Sequence, residues 1–352
     1  MRLLLLADAS SLHSKRWAGW FAGRGHDVLL ASLEAPGDAD IPFARLPGRS
    51  RWTDYIGAAP ALKRTIAGYK PDLVNAHFVP NYGFLGALSG FRPLAVSAWG
   101  SDLLISARRS ILHRARARWA LSRACLATCD GQVLVEELLG LGVEPGRILN
   151  VPMGVDRGLI VGRRGGLPPE GPVNIVSTRG LEPLYDVETV IRAMPLVSNS
   201  TKRPVNLAIV GGGRLRDSLE RLARELGIEK HATFTGRLDH RELIDRLDQA
   251  GIYVTASRSD STSVSLLEAM ARGLVPVAGD IPGNREWIED GVGGLLFPPG
   301  DHAALARRIL ELAAGSVDTG PMIERNLEIV RKRGCWQGNM EEVENAFMEL
   351  VR

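Results

Sequence analysis

The stretch Asp260-Ser-Thr-Ser-Val-Ser-Leu-Leu-Glu268-Ala-Met-Ala-Arg-Gly273 decides how this chain is read. It follows Ile252-Tyr-Val-Thr255, an apolar run that reads as a buried strand. Polar turn residues come next, then Val264–Ala271 at helical density, then Gly273 as a C-terminal stop. A strand, a loop and a helix start place the backbone N–H groups of Thr262, Ser263 and Val264 at the positive end of a helix dipole. Anions such as phosphate bind there. Asp260 lies in the loop, and Glu268 lies one to two turns into the helix. Ser265, Glu268 and Arg272 share one helical face, so an ordinary i,i+4 surface pair of Glu268 with Arg272 is the competing reading.

Strand and loop alternate through the second half of the chain. Strands are predicted at Asn174–Ser177, Leu207–Val210, Thr233–Thr235, Ile252–Thr255, Val275–Ala278 and Leu295–Phe297, with helical stretches between them. The first four of these strands end in loops of one character: Thr178-Arg179-Gly180, Gly211-Gly212-Gly213-Arg214, Gly236-Arg237 and Arg258-Ser259-Asp260. Glycines let a backbone approach a ligand closely. Arg179 can neutralise a diphosphate through two parallel hydrogen bonds. The run from Gly211 to Arg216 lacks the third glycine of the dinucleotide fingerprint and follows the wrong strand, which argues against a dehydrogenase.

The first half opens in the same way. Arg2–Ala7 reads as a buried strand, followed by the polar loop from Asp8 to Trp17, a helix ending near Gly25 and a strand at Asp27–Ala31. Open α/β sheets bind ligands at the carboxyl ends of strands, which makes His13 and Arg16 site candidates. A solvated loop with Trp17 in the core is the alternative. Asp72–His77 and Pro93–Ser97 read as further strands, and Gln132–Val135 and Arg147–Val151 complete the sheet. His77 is a strand-end candidate or a satisfied buried histidine. Asp102, beside Gly100, is a cleft candidate, or it caps a helix together with Ser101.

Ile105 to Arg123 reads as one basic helix. Arg108, Arg109, His113, Arg114, Arg116, Arg118 and Arg123 interleave with Ile105, Ile111, Leu112, Trp119, Ala120 and Leu121. This pattern suits an anionic membrane surface, or simply a solvated face. No nucleic-acid motif accompanies it, and no nucleic-acid partner is expected. Pro152 to Asp156 and the Gly-, Pro- and Arg-rich stretch 157–172 read as a hinge, and Trp336–Arg352 reads as an amphipathic helix.

A chain of 352 residues has room for two domains, and its 45% hydrophobic and 24% charged residues are those of an ordinary soluble protein. The net charge of +3 is uneven. Residues 1–150 hold 18 Lys and Arg against 12 Asp and Glu, and the remainder holds 25 against 28. A basic first half suits an anionic partner. Cys125, Cys129 and Cys335 form neither a disulfide framework nor a zinc spacing. The opening apolar run ends at Asp8, too soon for a signal peptide, and no stretch approaches the ~20 apolar residues of a membrane span. The expectation is a cytoplasmic chain, extending to a peripheral place on the inner face of the membrane.

The order of these pieces resembles the family 4 glycosyltransferases, retaining enzymes of the GT-B fold, over nearly the whole length. The resemblance rests on the His77 strand end, Trp99-Gly-Ser-Asp102, Met153-Gly-Val-Asp156, Arg179, Gly211-Gly-Gly213, Gly236-Arg237, Asp260-x7-Glu268-Ala-Met-Ala and Gly294-Leu-Leu-Phe-Pro-Pro299. It implies two Rossmann-like domains whose parallel sheets face across a cleft. The first would span 1–154 with a crossing helix at 336–352, and the second would span 155–335. It implies that Glu268 binds the donor ribose. Asp260, with the N–H groups of Thr262, Ser263 and Val264, would hold the sugar and diphosphate. Arg179 would neutralise the leaving group, Gly236 and Arg237 would lie near the base, and Gly212 and Arg258 would complete the donor side. Asp102 joins Asp260 and Arg179 as a catalytic candidate, and His13, Arg16 and His77 belong to the acceptor side. The donor would be a UDP- or GDP-sugar, with no cofactor and no metal. The acceptor would be a sugar or a lipid-linked sugar in cell-envelope glycolipid or polysaccharide synthesis. Asp38-Ala-Asp40 matches the acid-x-acid motif of metal-dependent glycosyltransferases of another fold, but among Pro36, Gly37 and Pro42 it reads as an acidic turn. A nucleotide-sugar epimerase of the same fold and a weakly catalytic nucleotide-binding protein are the alternatives.

Three departures from the family pattern stand out. Asp260 occupies a position where the family usually has Glu. The family's lysine is missing, and Glu182-Pro-Leu-Tyr185-Asp186 occupies its stretch, leaving Arg258 or Arg214 to supply a second charge. Trp99 replaces a frequent histidine.

Overall fold

The described strands pair in parallel throughout, in two separate sheets. The computed structural model describes the chain apart from residues 37–40, 49–51, 109, 162–166 and 169 and the side chains of Trp52 and Ala107. Asp38, Asp40 and Arg109 therefore lie outside the described residues.

The first unit comprises Met1–Pro152 and Gly338–Arg352. Its strands are β1 (Arg2–Leu6), β2 (Asp27–Ser32), β3 (Phe43–Arg45), β4 (Leu73–His77), β5 (Leu94–Ser97), β6 (Leu126–Cys129) and β7 (Ile148–Asn150), in the order β3-β2-β1-β4-β5-β6-β7. Leu3 to Leu6 are fully buried, as expected of a central parallel strand covered on both faces. The helix Trp336–Leu350 completes this unit's core, where Phe347 stacks on Phe21 with ring centroids 5.6 Å apart. Its Glu344 accepts hydrogen bonds from Arg24 at 3.1 Å and from His26 at 2.9 Å.

The second unit comprises Met153–Gln337. Its strands are β8 (Val173–Ser177), β9 (Val205–Val210), β10 (Ala232–Gly236), β11 (Ile252–Thr255), β12 (Val275–Gly279) and β13 (Leu295–Phe297), in the order β10-β9-β8-β11-β12-β13. In each sheet the strand order reverses once, at β1/β4 and at β8/β11. Adjacent connections leave in opposite directions at such a point and open a crevice at the carboxyl ends of the strands.

Local readings fail in two places. Gln132–Val135 belongs to a helix, Gln132–Gly140, and the strand lies earlier, at Leu126–Cys129. Leu134 and Leu138, one helical turn apart, are the residues this segment buries, so the 3.6-residue period outweighs the β-branched run. The basic segment is not one helix either. A π-helical turn runs over Ser101–Ala107, and the helix proper is Ile111–Arg123, started by Ser110, whose Oγ accepts from the N–H of His113 at 3.3 Å. Strand β3 has no counterpart in the sequence reading, because three residues are too few to display a period.

Candidate active site

The crevice of the second unit is built around Arg179, just past the end of β8. The side chain retains only 10% exposure. Its Nη2 donates to Asp260 Oδ2 at 2.5 Å, and its Nη1 donates to Ser263 Oγ at 2.7 Å and Ser265 Oγ at 2.9 Å. One face of the guanidinium lies on Tyr185, 4.2 Å from the ring centroid. Burial opposes the charge, but Asp260, Tyr253 and Tyr185 outweigh it and hold the pKa above the ordinary arginine value. Arg179 Nε is buried with no hydrogen-bond partner among the described residues.

The helix Val264–Ala271 begins where the sequence places it. Ser263 caps it, accepting from the N–H of Leu266 at 3.3 Å, and Gly273 ends it at φ +80°. No acceptor among the described residues meets the N–H of Ser263 or Val264. These are the two donors that a bound anion would use. Thr262 and Ser263 are buried, and Glu268 is half-buried on the same helix. Arg272 is not a surface partner for Glu268. It is buried and spends Nε and Nη2 on the two carboxylate oxygens of Asp248.

The glycine loop after β9 serves a different purpose from the expected one. A Cβ on Gly211 would lie 2.3 Å from Arg179 O, and one on Gly213 would lie 2.4 Å from Leu181 O. The neighbouring backbone, not a ligand, demands these glycines. Gly212 O accepts from the N–H of Leu181 at 3.0 Å, and the Arg237 side chain runs alongside Gly212. Gly236 adopts φ +75°, and its carbonyl accepts from the N–H of Gly211 at 2.9 Å. The strand-end loops thus brace one another and hold Arg179 in place. Neither candidate for the second charge stands apart from acid: Arg214 pairs with Glu182 at 3.0 Å, and Arg258 pairs with Asp186 at 2.8 Å.

The first unit brings His13 and His77 together around Trp99, and Asp102 lies in the same unit. His77 is buried, and its Nε2 lies 2.9 Å from Asn75 Oδ1. Asn75 Nδ2 donates to Ser97 Oγ at 3.0 Å, so its Oδ1 accepts and the proton of His77 sits on Nε2. Burial, then the charge of His13, pushes the His77 pKa down to about 3, so the imidazole is neutral at physiological pH. Trp17 meets His77 edge-on at 4.9 Å, and His13 stacks on Trp99 at 5.4 Å. Arg16 lies on the same helix start, Leu12–Gly23. Asp102 is turned inward. It is 2% exposed, and its two oxygens accept from the N–H groups of Val79 at 3.0 Å and Trp99 at 3.1 Å. It pins two loops together and is neither a solvent-facing acid nor a side-chain helix cap.

Two family models match, described as glycosyl transferase 4-like over residues 2–130 and glycosyl transferases group 1 over residues 163–325. The chain belongs to the family 4 glycosyltransferases. Among curated relatives of the family, a glycogen synthase of Mycobacterium tuberculosis is 29% identical over 210 residues, 59% of this chain and 49% of that one. A phosphatidyl-myo-inositol mannosyltransferase of Mycobacterium leprae is 30% identical over 47% of this chain and 44% of its own. A putative glycosyltransferase, EpsD, of Bacillus subtilis is 37% identical over 31% of this chain and 28% of its own. The matches thus span half or less of these relatives. Among solved structures, sucrose-phosphate synthase from Thermosynechococcus elongatus superposes with a TM-score of 0.83 at 18% identity, covering 99% of both chains. Anabaena HepE in complex with UDP gives 0.83 at 17% identity, covering 99% of this chain and 100% of its own. At these identities the likeness establishes the GT-B fold.

Sequence reasoning missed Tyr185, Ser265 and Asp186 as site residues. Ser265 could have been found from its place on the helical face of Glu268. Tyr185 and Asp186 stand in the stretch where the family's lysine is absent, and that departure was the available signal.

Proposed function

We propose that this chain transfers a sugar from a nucleoside-diphosphate donor to an acceptor, with retention of configuration and without a metal ion. The observation that carries the reading is the constellation of Arg179, Asp260, Ser263 and Ser265 at the start of the helix that also bears Glu268. Arg179 and the N–H groups of Ser263 and Val264 meet the diphosphate, neutralising charge as the bond from the anomeric carbon to phosphate oxygen breaks. Glu268 accepts hydrogen bonds from the ribose hydroxyls. The acceptor hydroxyl attacks on the face the leaving group vacates, and its proton passes to a departing phosphate oxygen. The UDP complex of Anabaena HepE supports a UDP-sugar, and a GDP-sugar is the other donor to test. The acceptor side is the first unit, with His13 and His77 packed on Trp99 and Arg16 on the same helix as His13. Relatives named for phosphatidyl-myo-inositol and polysaccharide chemistry support a sugar or lipid-linked acceptor at a membrane surface.

The test is a panel of UDP-, GDP- and ADP-sugars with simple glycoside and lipid-linked acceptors, assayed with and without a chelator. Expected are transfer to an acceptor, a product of the donor's anomeric configuration and no effect of chelation. Arg179→Ala should weaken nucleoside-diphosphate binding by roughly 1.5–3 kcal/mol. Release of an epimerised sugar without an acceptor would replace this reading with an epimerase. Binding without turnover across the panel would replace it with a nucleotide-binding protein.

A further inference from the structure

We infer that Arg258 is the second phosphate-facing cation of this site, held ready by Asp186 in the stretch where the family's lysine is absent. The inference rests on the donor reading above and decides between its two candidates for the second charge. Arg258 follows β11 and stands two residues before Asp260, the partner of Arg179. Its backbone N–H donates to Leu184 O at 2.9 Å, and its guanidinium meets Asp186 Oδ2 from both Nε, at 3.0 Å, and Nη2, at 2.8 Å. Leu184 and Asp186 flank Tyr185, whose ring carries Arg179. Residues 184–186 therefore fix both arginines at once, one through a ring face and one through a carboxylate.

The two guanidinium groups differ in a useful way. Arg179 is almost enclosed and already engaged on three oxygens, whereas Arg258 keeps 60% exposure and shares a single carboxylate oxygen. An arginine carries five donors, so most of those on Arg258 stay open to an incoming anion. Asp186 itself is nearly covered, at 9% exposure, and sits in the left-handed region at φ +46°. It also accepts from Thr189 Oγ1 at 2.9 Å, which holds the carboxylate in place independently of Arg258. Arg214, on the glycine loop, is tied to the same stretch through Glu182, which accepts from its backbone N–H at 3.1 Å and pairs with its side chain at 3.0 Å, but that carboxylate is 42% exposed where Asp186 is nearly covered. A diphosphate has two charged groups, and one enclosed arginine already matched by Asp260 does not neutralise them. An exposed guanidinium on the same strand-end loop as Asp260 supplies the missing charge.

The test is calorimetric titration of UDP, GDP, uridine and guanosine into wild type, Arg258→Ala, Arg258→Lys and Arg214→Ala, with thermal unfolding as a check of folding. Arg258→Ala should weaken the preferred diphosphate about tenfold and leave the matching nucleoside unchanged. Arg258→Lys should restore part of the loss, and Arg214→Ala should bind like wild type. A merely structural role for Arg258 would weaken nucleoside and diphosphate by the same factor, and that result overturns the inference. So does undiminished diphosphate binding by Arg258→Ala. If wild type binds neither diphosphate, the donor reading falls with it. If Arg179→Ala loses diphosphate affinity while Arg258→Ala does not, only Arg258 is removed from the site.

Discussion

Arg179 and Asp260 form the ion pair at the centre of the proposed donor site. The two are 81 residues apart in sequence and joined at 2.5 Å. Asp260 occupies the guanidinium that a diphosphate would use in the proposed donor site, so the prediction is that carboxylate and ligand compete. Asp260→Asn leaves a mostly buried arginine short of its counter-charge, which should lower stability by about 1–3 kcal/mol, discounted from a fully buried pair. A diphosphate that restores the charge should then bind tighter, by roughly fivefold for each 1 kcal/mol recovered. Turnover of the sugar nucleotide should fall. Calorimetric titration and initial rates check this. Diphosphate binding weakened by Asp260→Asn would show that Asp260 supports the diphosphate instead of competing with it. The sequence marks both residues as strand-end polar groups. It does not show that they touch, because contact depends on how β8 and β11 lie side by side.

Among the elements, the helix Ile111–Arg123 carries the membrane question, and the structure redraws its surface. Arg116 is buried over Phe84, 4.7 Å from the ring centroid, and Trp119 packs on the same ring. Arg108 is taken by Glu137. The helix exposes Ile111, at 91%, Leu112, at 53%, and the charged Arg114, Arg118 and Arg123. Binding of anionic vesicles at low salt is therefore predicted to run through Ile111, Arg114 and Arg118, with about 1 kcal/mol per arginine near the surface, fading as salt rises. Co-sedimentation of Ile111→Asp/Arg114→Glu/Arg118→Glu should show the binding lost while the fold persists. Wild type that stays in the supernatant with anionic vesicles at low salt ends the membrane reading. A substitution at Arg116 would test the core instead.

At the scale of the whole molecule, the last helix leaves the second unit's sequence and completes the first unit's core. Phe347 is fully buried against Phe21 and Trp17. Phe347→Ala should cost about 3–5 kcal/mol, the range for an aromatic truncated in a core, and the loss should fall on the first unit. Proteolysis under mild denaturation should release fragments of residues 1–152 before fragments of the second unit. Equal resistance of wild type and variant would mean that the helix is not anchored there.

Periodicity and turn chemistry were enough to read the parallel α/β class, eleven of the thirteen described strands and the helix start at Val264. The alternation of apolar runs with Gly- and Asp-bearing loops is a local signal that survives without contacts. The segment Gln132–Gly140 marks where this fails, since a short apolar run fits either period until burial of Leu134 and Leu138 chooses one. The candidate site divides in the same way. Arg179 and Asp260 were legible as charges at strand ends, and Glu268 as an acid on the helix that follows. Tyr185, Ser265 and Asp186 were not, and Asp102, read as a cleft candidate or a helix cap, is buried on two backbone N–H groups. Their roles are set by residues far away in sequence, and only the side-by-side packing of parallel strands brings those partners within hydrogen-bond distance.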